Sequence, residues 1–443
     1  MDGLLNALRE KVDQAEVYHL KTQAIPIEFR SGRLESVKIK QTEGMALRVL
    51  SDDRLGFATT TDMKDPSELI ASAIASAAFG EKSDFSFPAE TDHSHPDVYD
   101  HAIADISEEE LIKTGEEAIA RLHDAEPEAD LNVTINKVIE TVAISNTAGC
   151  NLEEKRTHLS LGIEARKTRE GDIFTIFAEG DARFNEDLSV DPLVDRLIHY
   201  FAYGKNIVPA PAKKLPVVFT PQGAITLLLP LIIGFNGKSV YMGTSPLKGR
   251  IGEELFDPRF SLADDGTLPR GPRSSGFDDE GTPTVQTPLA SNGIIKGFLY
   301  DLRTAALAGT APTGNGYKGG LLGRGGFRTP QSVGIGNILV SVGDKDEDGI
   351  IARIEEGLIV DSVLGLGQGN ITTGEFSNNV AVAFKIEKGK IVGRVKNTMI
   401  AGNTYNLLRE HLIALGDRAQ WVHGTVRTPM IAVDQVNVVG QRG

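Results

Sequence analysis

The chain has 443 residues, 40% hydrophobic and 24% charged, which describes a globular protein large enough for two cores rather than a fibrous or disordered one. Its 61 acidic residues outnumber its 46 basic ones for a net charge of −15, and no basic stripe with interleaved aromatics is present, which together exclude a chain built to grip a nucleic-acid backbone. Cys150 is the sole cysteine, so no internal disulfide or thiolate metal cluster can form, as expected of a reducing compartment and hence the cytoplasm.

The N-terminal segment reads as an amphipathic helix with Leu4, Leu5, Leu8 and Val12 on one face, broken by acids and therefore unlike a signal peptide. Residues 25–62 alternate short β-like runs with turn signals at Ser31-Gly32, Glu43-Gly44 and Ser51-Asp52-Asp53, which predicts an antiparallel meander. An alanine-rich helix is expected over 66–80, with Pro66 in its first turn, Ser67 as a cap and Gly80 at its end. Residues 85–100 read as loop, and 107–125 as a helix opened by the capping box Ser107-Glu108-Glu109-Glu110. Alternation predicts strands over 131–145 and 157–184, followed by a short helix over 191–203.

Pro209, Pro211 and Pro216 with two lysines make 205–216 a stiff, exposed connector. An α+β protein is therefore expected, with an N-terminal sheet-plus-helices domain (1–205) and a larger β-rich C-terminal domain (206–443). In the second half, strands are expected at 217–220, 283–289, 294–300, 335–342, 358–364, 380–387 and 391–400, and helices at 223–236, 301–309, 347–356 and 403–415. The longest apolar stretch, 224–235, is too short to cross a bilayer and contains Pro230.

Several motifs suggest chemistry. His93 and His95 with Asp92 and Asp97 offer metal ligands, but one loop cluster without a second is better read as solvated and polar, and His411 and His423 as hydrogen-bonding or solvent-facing. Residues 344–355 match the calcium-loop pattern through Asp344, Asp346, Asp348, Gly349 and Glu355, yet a strand precedes them, so the acids are read as a helix cap. GNGYKG (314–319) follows a helix, the reverse of the dinucleotide-binding context. The stretch 310–328 reads instead as a mobile loop that lets backbone approach a ligand at Gly316, Gly319 and Gly320, with Tyr317, Lys318, Arg324 and Arg328 able to touch it; a plain flexible loop fits the same composition. The acids of Phe277-Asp278-Asp279-Glu280-Gly281 are read as a structural turn binding backbone amides or an arginine, not as a catalytic pair. Asn370 and Thr372, in 365–377, are candidates for backbone hydrogen bonds to a substrate, and no G-x-S-x-G elbow is present.

Three blocks, residues 28–62, 243–309 and 357–403, occur in the order seen in the TldD/PmbA (modulator of DNA gyrase) family, and the chain resembles its PmbA/TldE-like members. TldD-like members carry H-E-x-x-x-H on the helix after the strand that opens the second domain, where two imidazoles hold zinc and the glutamate serves as base. With the family's spacing, those positions fall near Leu227, Leu228 and Ile232, and residues 204–410 contain no histidine. The resemblance thus implies no catalytic residue, metal or cofactor in this chain. It implies a cytosolic metalloprotease acting on small or unfolded polypeptides, its zinc in a TldD-like partner and this chain positioning substrate, as heterodimer or homodimer, without nucleic acid or membrane. A self-sufficient hydrolase with an unrecognised site and a peptide-binding or assembly module without a protease partner are the alternatives.

Overall fold

A computed structural model describes residues 1–169, 171–321, 326–367 and 369–440. The N-terminal half runs α1 (Asp2–Leu8), β1 (Gln14–Arg30), β2 (Arg33–Val37), β3 (Lys40–Ser51), β4 (Arg54–Thr60), α2 (Ser67–Ala77), α3 (His101–Asp105), α4 (Glu108–Ala125), β5 (Asp130–Asn146), β6 (Asn151–Arg169), β7 (Asp172–Ala182) and α5 (Asp191–Tyr203). Its strands form one antiparallel sheet in the order β4-β3-β1-β5-β6-β7, with β2 paired to β1.

Period-two burial along β1 places Ile25, Ile27 and Phe29 under α4, whose Leu111, Ala118 and Leu122 share their cluster. Gly115 is where helix and strand meet: a Cβ there would lie 2.4 Å from the Phe29 ring. At the sheet's other end Leu4, Leu5 and Leu8 of α1 pack with Val17, Leu47, Val49 and α2. The capping box holds as expected, Ser107 Oγ accepting from Glu110 N while the Glu110 carboxylate accepts from Ser107 N.

The first strand is far longer than its sequence suggests. Only residues 25–30 show period-two burial; Ala15 to Tyr18 are all buried and 21–24 are not, so the first half of the strand carries no alternation to read. Helix α1 therefore ends at Leu8, with Val12 beyond it yet still packed on the same cluster. Ser67 does not cap α2; its own N–H is accepted by Asp65 Oδ1 at 2.9 Å. The stretch 157–184 is two strands, paired from Leu159↔Ala182 to Arg169↔Asp172.

The C-terminal half runs β8 (Lys213–Phe219), α6 (Pro221–Gly234), α7 (Gly237–Met242), β9 (Leu262–Asp265), β10 (Gln286–Ser291), β11 (Ile294–Ile295), α8 (Leu302–Ala308), β12 (Gly316–Lys318), β13 (Gln331–Val333), β14 (Ile338–Val340), α9 (Glu347–Ile351), β15 (Glu356–Leu364), β16 (Glu375–Glu387), β17 (Lys390–Arg394), β18 (Thr398–Asn403), α10 (Thr404–Glu410), β19 (Leu412–Val422) and β20 (Val426–Gly440). The α+β class is as expected. The helix expected over 403–415 stops at Glu410, and two long strands follow that periodicity missed. Because β8 pairs in parallel with β15 and antiparallel with β20, the pairings β8-β15-β16-β18-β20 return on themselves, and α6 packs against this ring.

The connector is pinned rather than free. Val208 N donates to Arg394 O at 2.9 Å, and Ala210 is buried against Gly440. Tyr200 and Phe201 of α5 join Val218, Ile359, Phe384 and Ala432 in one cluster, so the two sheets share a hydrophobic core.

Helix α6 is seated against β15 without slack: a Cβ on Gly223 would stand 2.1 Å from Val360 O. Gly223→Ala is expected to destabilise the protein by about 1–3 kcal/mol, the usual range for overpacking, as read by thermal or urea unfolding.

Candidate functional site

Two places carry the candidate chemistry. The first is α6. Thr220 caps it, Oγ1 accepting from Gly223 N at 3.1 Å and donating to Asp361 Oδ1 at 2.8 Å, while Tyr200 OH donates to the same carboxylate oxygen at 2.6 Å. Burial raises the Asp361 carboxyl above its ordinary range, and the two hydroxyls oppose that. From Leu227 to Ile233 the helix is apolar on every side, as a helix enclosed on all faces must be. Leu227, Leu228 and Ile232 are 0%, 0% and 2% exposed, inside the cluster that also holds Phe219, Phe376 and Leu408. Full burial of each such side chain contributes about 1.5–3 kcal/mol. None has a lone pair, and their enclosure leaves no open position for a metal-bound water. These residues do not fit a zinc ion. Among the described residues, no group of three or more His, Cys, Asp or Glu is placed to hold a metal.

The second place is a buried ionic cluster between the sheets. Arg48, on β3, donates through Nε and Nη2 to the Glu16 carboxylate on β1, both at 2.9 Å, and through Nη1 to Glu280 Oε1 at 2.7 Å. All three side chains are almost wholly enclosed. Burial raises Glu16 against the pull of Arg48, and pushes Glu280 up to about 7 against the same pull. Glu280 Oε2 also accepts from Leu302 N, at the start of α8. Asp278 accepts from the N–H groups of Glu280, Thr282 and Gly316, and Asp279 from Lys318 N, so the acidic turn is structural, as expected. Burial, with Glu280 adjacent, raises Asp278 well above the carboxylate range.

The segment 310–328 requires correction. Gly316, Tyr317 and Lys318 are not on an exposed loop. They form β12, which pairs with β13 and is buried. Gly316 makes room for Glu280, whose Oε2 would lie 2.1 Å from an added Cβ. Lys318 is 0% exposed, donates to Thr329 O at 3.0 Å and stacks over Tyr18 and Phe57; burial and then Arg48 push it down to about 8. Polar residues sink here because each finds a charged or backbone partner. The signal was an arginine inside the apolar run Met45–Leu50, matched by three acids in 278–280.

Gly319 and Gly320 are half-buried just beyond β12, and Arg324 lies outside the described residues. Asn370 is exposed and Thr372 half-buried on a 3₁₀ turn, Ile371–Thr373, that packs on α6; Thr372 Oγ1 donates to Asn370 Oδ1 at 2.8 Å. Those two residues thus belong to the α6 region, and Gly316 to Gly320 to the ionic cluster. Arg328 and Phe327 border a cavity of about 370 Å³ with Thr59, Thr60 and Thr61 at the end of β4, the terminal strand of its sheet. His93 is half-buried and packs on Phe277, ring centroids 5.8 Å apart, while Asp92, His95 and Asp97 are exposed, in keeping with a solvated polar loop. Asp346 caps α9 by accepting from Gly349 N at 2.9 Å, which agrees with the capping reading of 344–355. His423 reaches Glu179 and Gln222, the latter in the first turn of α6.

Known proteins resemble the chain throughout. The model of the PmbA/TldA metallopeptidase C-terminal domain matches residues 212–440, and that of domain 1 matches residues 15–77. Metalloprotease PmbA of Escherichia coli is 24% identical over 97% of this chain and 93% of its own length. A metalloprotease TldD homolog of Haemophilus influenzae is 26% identical over 70% and 67%. The crystal structure of TldE from Thermococcus kodakarensis superposes with a TM-score of 0.90 at 24% identity, covering 99% of this chain and 100% of that one, which shows the fold.

Two predictions follow from the buried charges. Arg48→Met leaves Glu16 and Glu280 enclosed without their cation and is expected to cost about 3–5 kcal/mol in urea unfolding, most of it recovered when Glu16→Gln and Glu280→Gln are added. Asp264, on β9, accepts from Gly336 N at 2.8 Å and is pushed by burial up to about 7. The folded state then binds this proton more tightly than the unfolded chain, whose carboxyl titrates near ~3.9. Stability is therefore expected to fall as pH rises from about 4 to about 7 and to level off above, and Asp264→Asn to flatten that slope in melting curves.

Proposed function

The chain belongs to the PmbA/TldA metallopeptidase family, and from that premise we propose that it is the non-catalytic, PmbA/TldE-like subunit of a cytosolic two-chain metalloprotease. One observation carries this: the helix positions where a family protease needs imidazole and carboxylate are Leu227, Leu228 and Ile232, sealed in hydrocarbon. Zinc then belongs to a TldD-like partner, which supplies the Lewis acid and activated water. This chain forms the facing wall of the site and positions small or unfolded polypeptides.

Its contribution to substrate is geometric. The outer edge of the terminal strand β4 is covered at Leu55 and Phe57, whose N–H groups donate to Glu81 O and Ser76 Oγ, but its Thr59–Thr61 end lies beside Arg328 and Phe327, which supports addition of a short extended peptide there. Backbone pairing of this kind accepts many sequences, as a protease for unfolded chains requires. Asn370 and Thr372, over α6, and the Gly319-Gly320 segment are the further places where backbone or small polar groups meet substrate.

The test is reconstitution. The purified chain is expected to show no peptidase activity on casein or an unfolded peptide, and to co-elute with a TldD-like chain carrying H-E-x-x-x-H, giving the pair chelator-sensitive cleavage. Cleavage by the isolated chain, or a TldD-like chain that neither binds it nor gains activity from it, would overturn the assignment.

A further inference from the structure

The N-terminal sheet leaves one long run of its margin open. Strand β4 pairs with β3 only from Ser51 back to Met45, and β2 pairs only with β1. Arg33 to Glu43 therefore has β1 on one side and no strand on the other. Among the described residues no backbone hydrogen bond leaves that outer side; Lys38 N, which stands outside the ladders, donates to Pro26 O of β1. Enclosed backbone groups are almost always paired, so an unpaired run of this length faces water. Every residue in it except the half-buried Ser36 is exposed. At ~3.3 Å per residue it offers another chain an edge about 35 Å long.

The two faces of this margin differ. Val37 and Leu34 stand opposite Ile27 and Phe29 of β1, on the face that α4 covers, and they carry that buried apolar row outward to 39% and 44% exposure. Arg33 and Lys40 stand opposite Arg30 and Ala24, on the other face. The neighbouring carboxylates are engaged: Glu35 accepts from Arg30 at 2.9 Å, and Glu43 lies 3.1 Å from His19. The side chains of Arg33, Lys38 and Lys40 have no such partner among the described residues, which makes this edge cationic in a chain of net charge −15.

We propose that the outer edge of β2 and β3 binds an extended polypeptide in which apolar and acidic residues alternate. Paired in the lane that β4 vacates at Thr60, such a chain lays its apolar side chains against Leu34 and Val37 and turns its carboxylates toward Arg33 and Lys40. This rests on the peptide-handling role above and deepens it, because it extends the Thr59–Thr61 corner into a track with a sequence preference. A second copy of the chain fits the edge poorly: antiparallel pairing about Ile39 sets Lys38 of each copy against Lys40 of the other. A flexible polypeptide can also follow the break at residues 38 and 39, which lie outside both strands.

The test uses a fluorescein-labelled octapeptide of alternating valine and glutamate, amidated at its C-terminus and titrated with the full-length chain by fluorescence anisotropy. N-methylation of its backbone amides is expected to weaken binding at least about tenfold, through loss of the edge hydrogen bonds. Arg33→Glu combined with Lys40→Glu is expected to weaken it about fivefold or more with an unchanged melting curve, and to favour a peptide with lysine in place of glutamate. Equal binding of the methylated and unmethylated peptides, binding of neither, or indifference to the double substitution would overturn the proposal. So would a chain that light scattering shows to be a dimer dissociated by the same substitutions. Reconstitution with a partner is read by cleavage and this experiment by binding to the chain alone, so the failure of either is seen separately.

Discussion

One buried guanidinium ties the two halves of this molecule together. Arg48 sits on β3 of the N-terminal sheet, and its two carboxylates come from opposite halves of the chain, Glu16 from β1 and Glu280 from the turn before α8. Three enclosed charges are costly to desolvate, so such a cluster adds little net stability over an apolar filling; what it supplies is register. A slip of the C-terminal half against the sheet would strand a charge without a partner. The neighbouring polar groups extend that constraint: Asp278 and Asp279 grip the backbone of β12, and Lys318 lies across Tyr18 and Phe57 of the opposite sheet.

The hydrophobic core makes the same connection by a different means. Phe384 and Ile359 of the C-terminal ring pack with Tyr200 and Phe201 of α5 in a cluster that also contains the underside of the N-terminal sheet. Apolar contact fixes how closely the halves approach and is tolerant of sliding; the ionic cluster fixes where they stop.

Much of this was legible in the sequence where one local signal dominated. The Ser107 capping box, the helix over 191–203 and the cap at Asp346 all depend on neighbours within a few residues, and all fold as read. The helix expected over 223–236 is α6, Pro221–Gly234. What escaped was non-local. Glycines in 314–320 read as freedom, yet Gly316 is there because Glu280 needs the space a side chain would fill, a fact stored 36 residues away in another element. The strands β19 and β20 escaped because a helix-like start at Thr404 ran into them without a breaker. A charged residue inside an apolar strand run, such as Arg48 in Met45–Leu50, was the clue to the site that spacing and composition overlooked.

Helix α6 separates this chain chemically from a zinc protease of the same architecture. Its inward positions are committed to packing, and a metal there would require replacing close-packed hydrocarbon by three ligands and an open, wet position. The most direct measurement is the zinc content of the purified chain alone, after saturation with zinc and exhaustive dialysis, by atomic emission. A hydrocarbon α6 predicts far less than one equivalent; one tightly held zinc per chain, lost on chelation together with peptide cleavage, would contradict it.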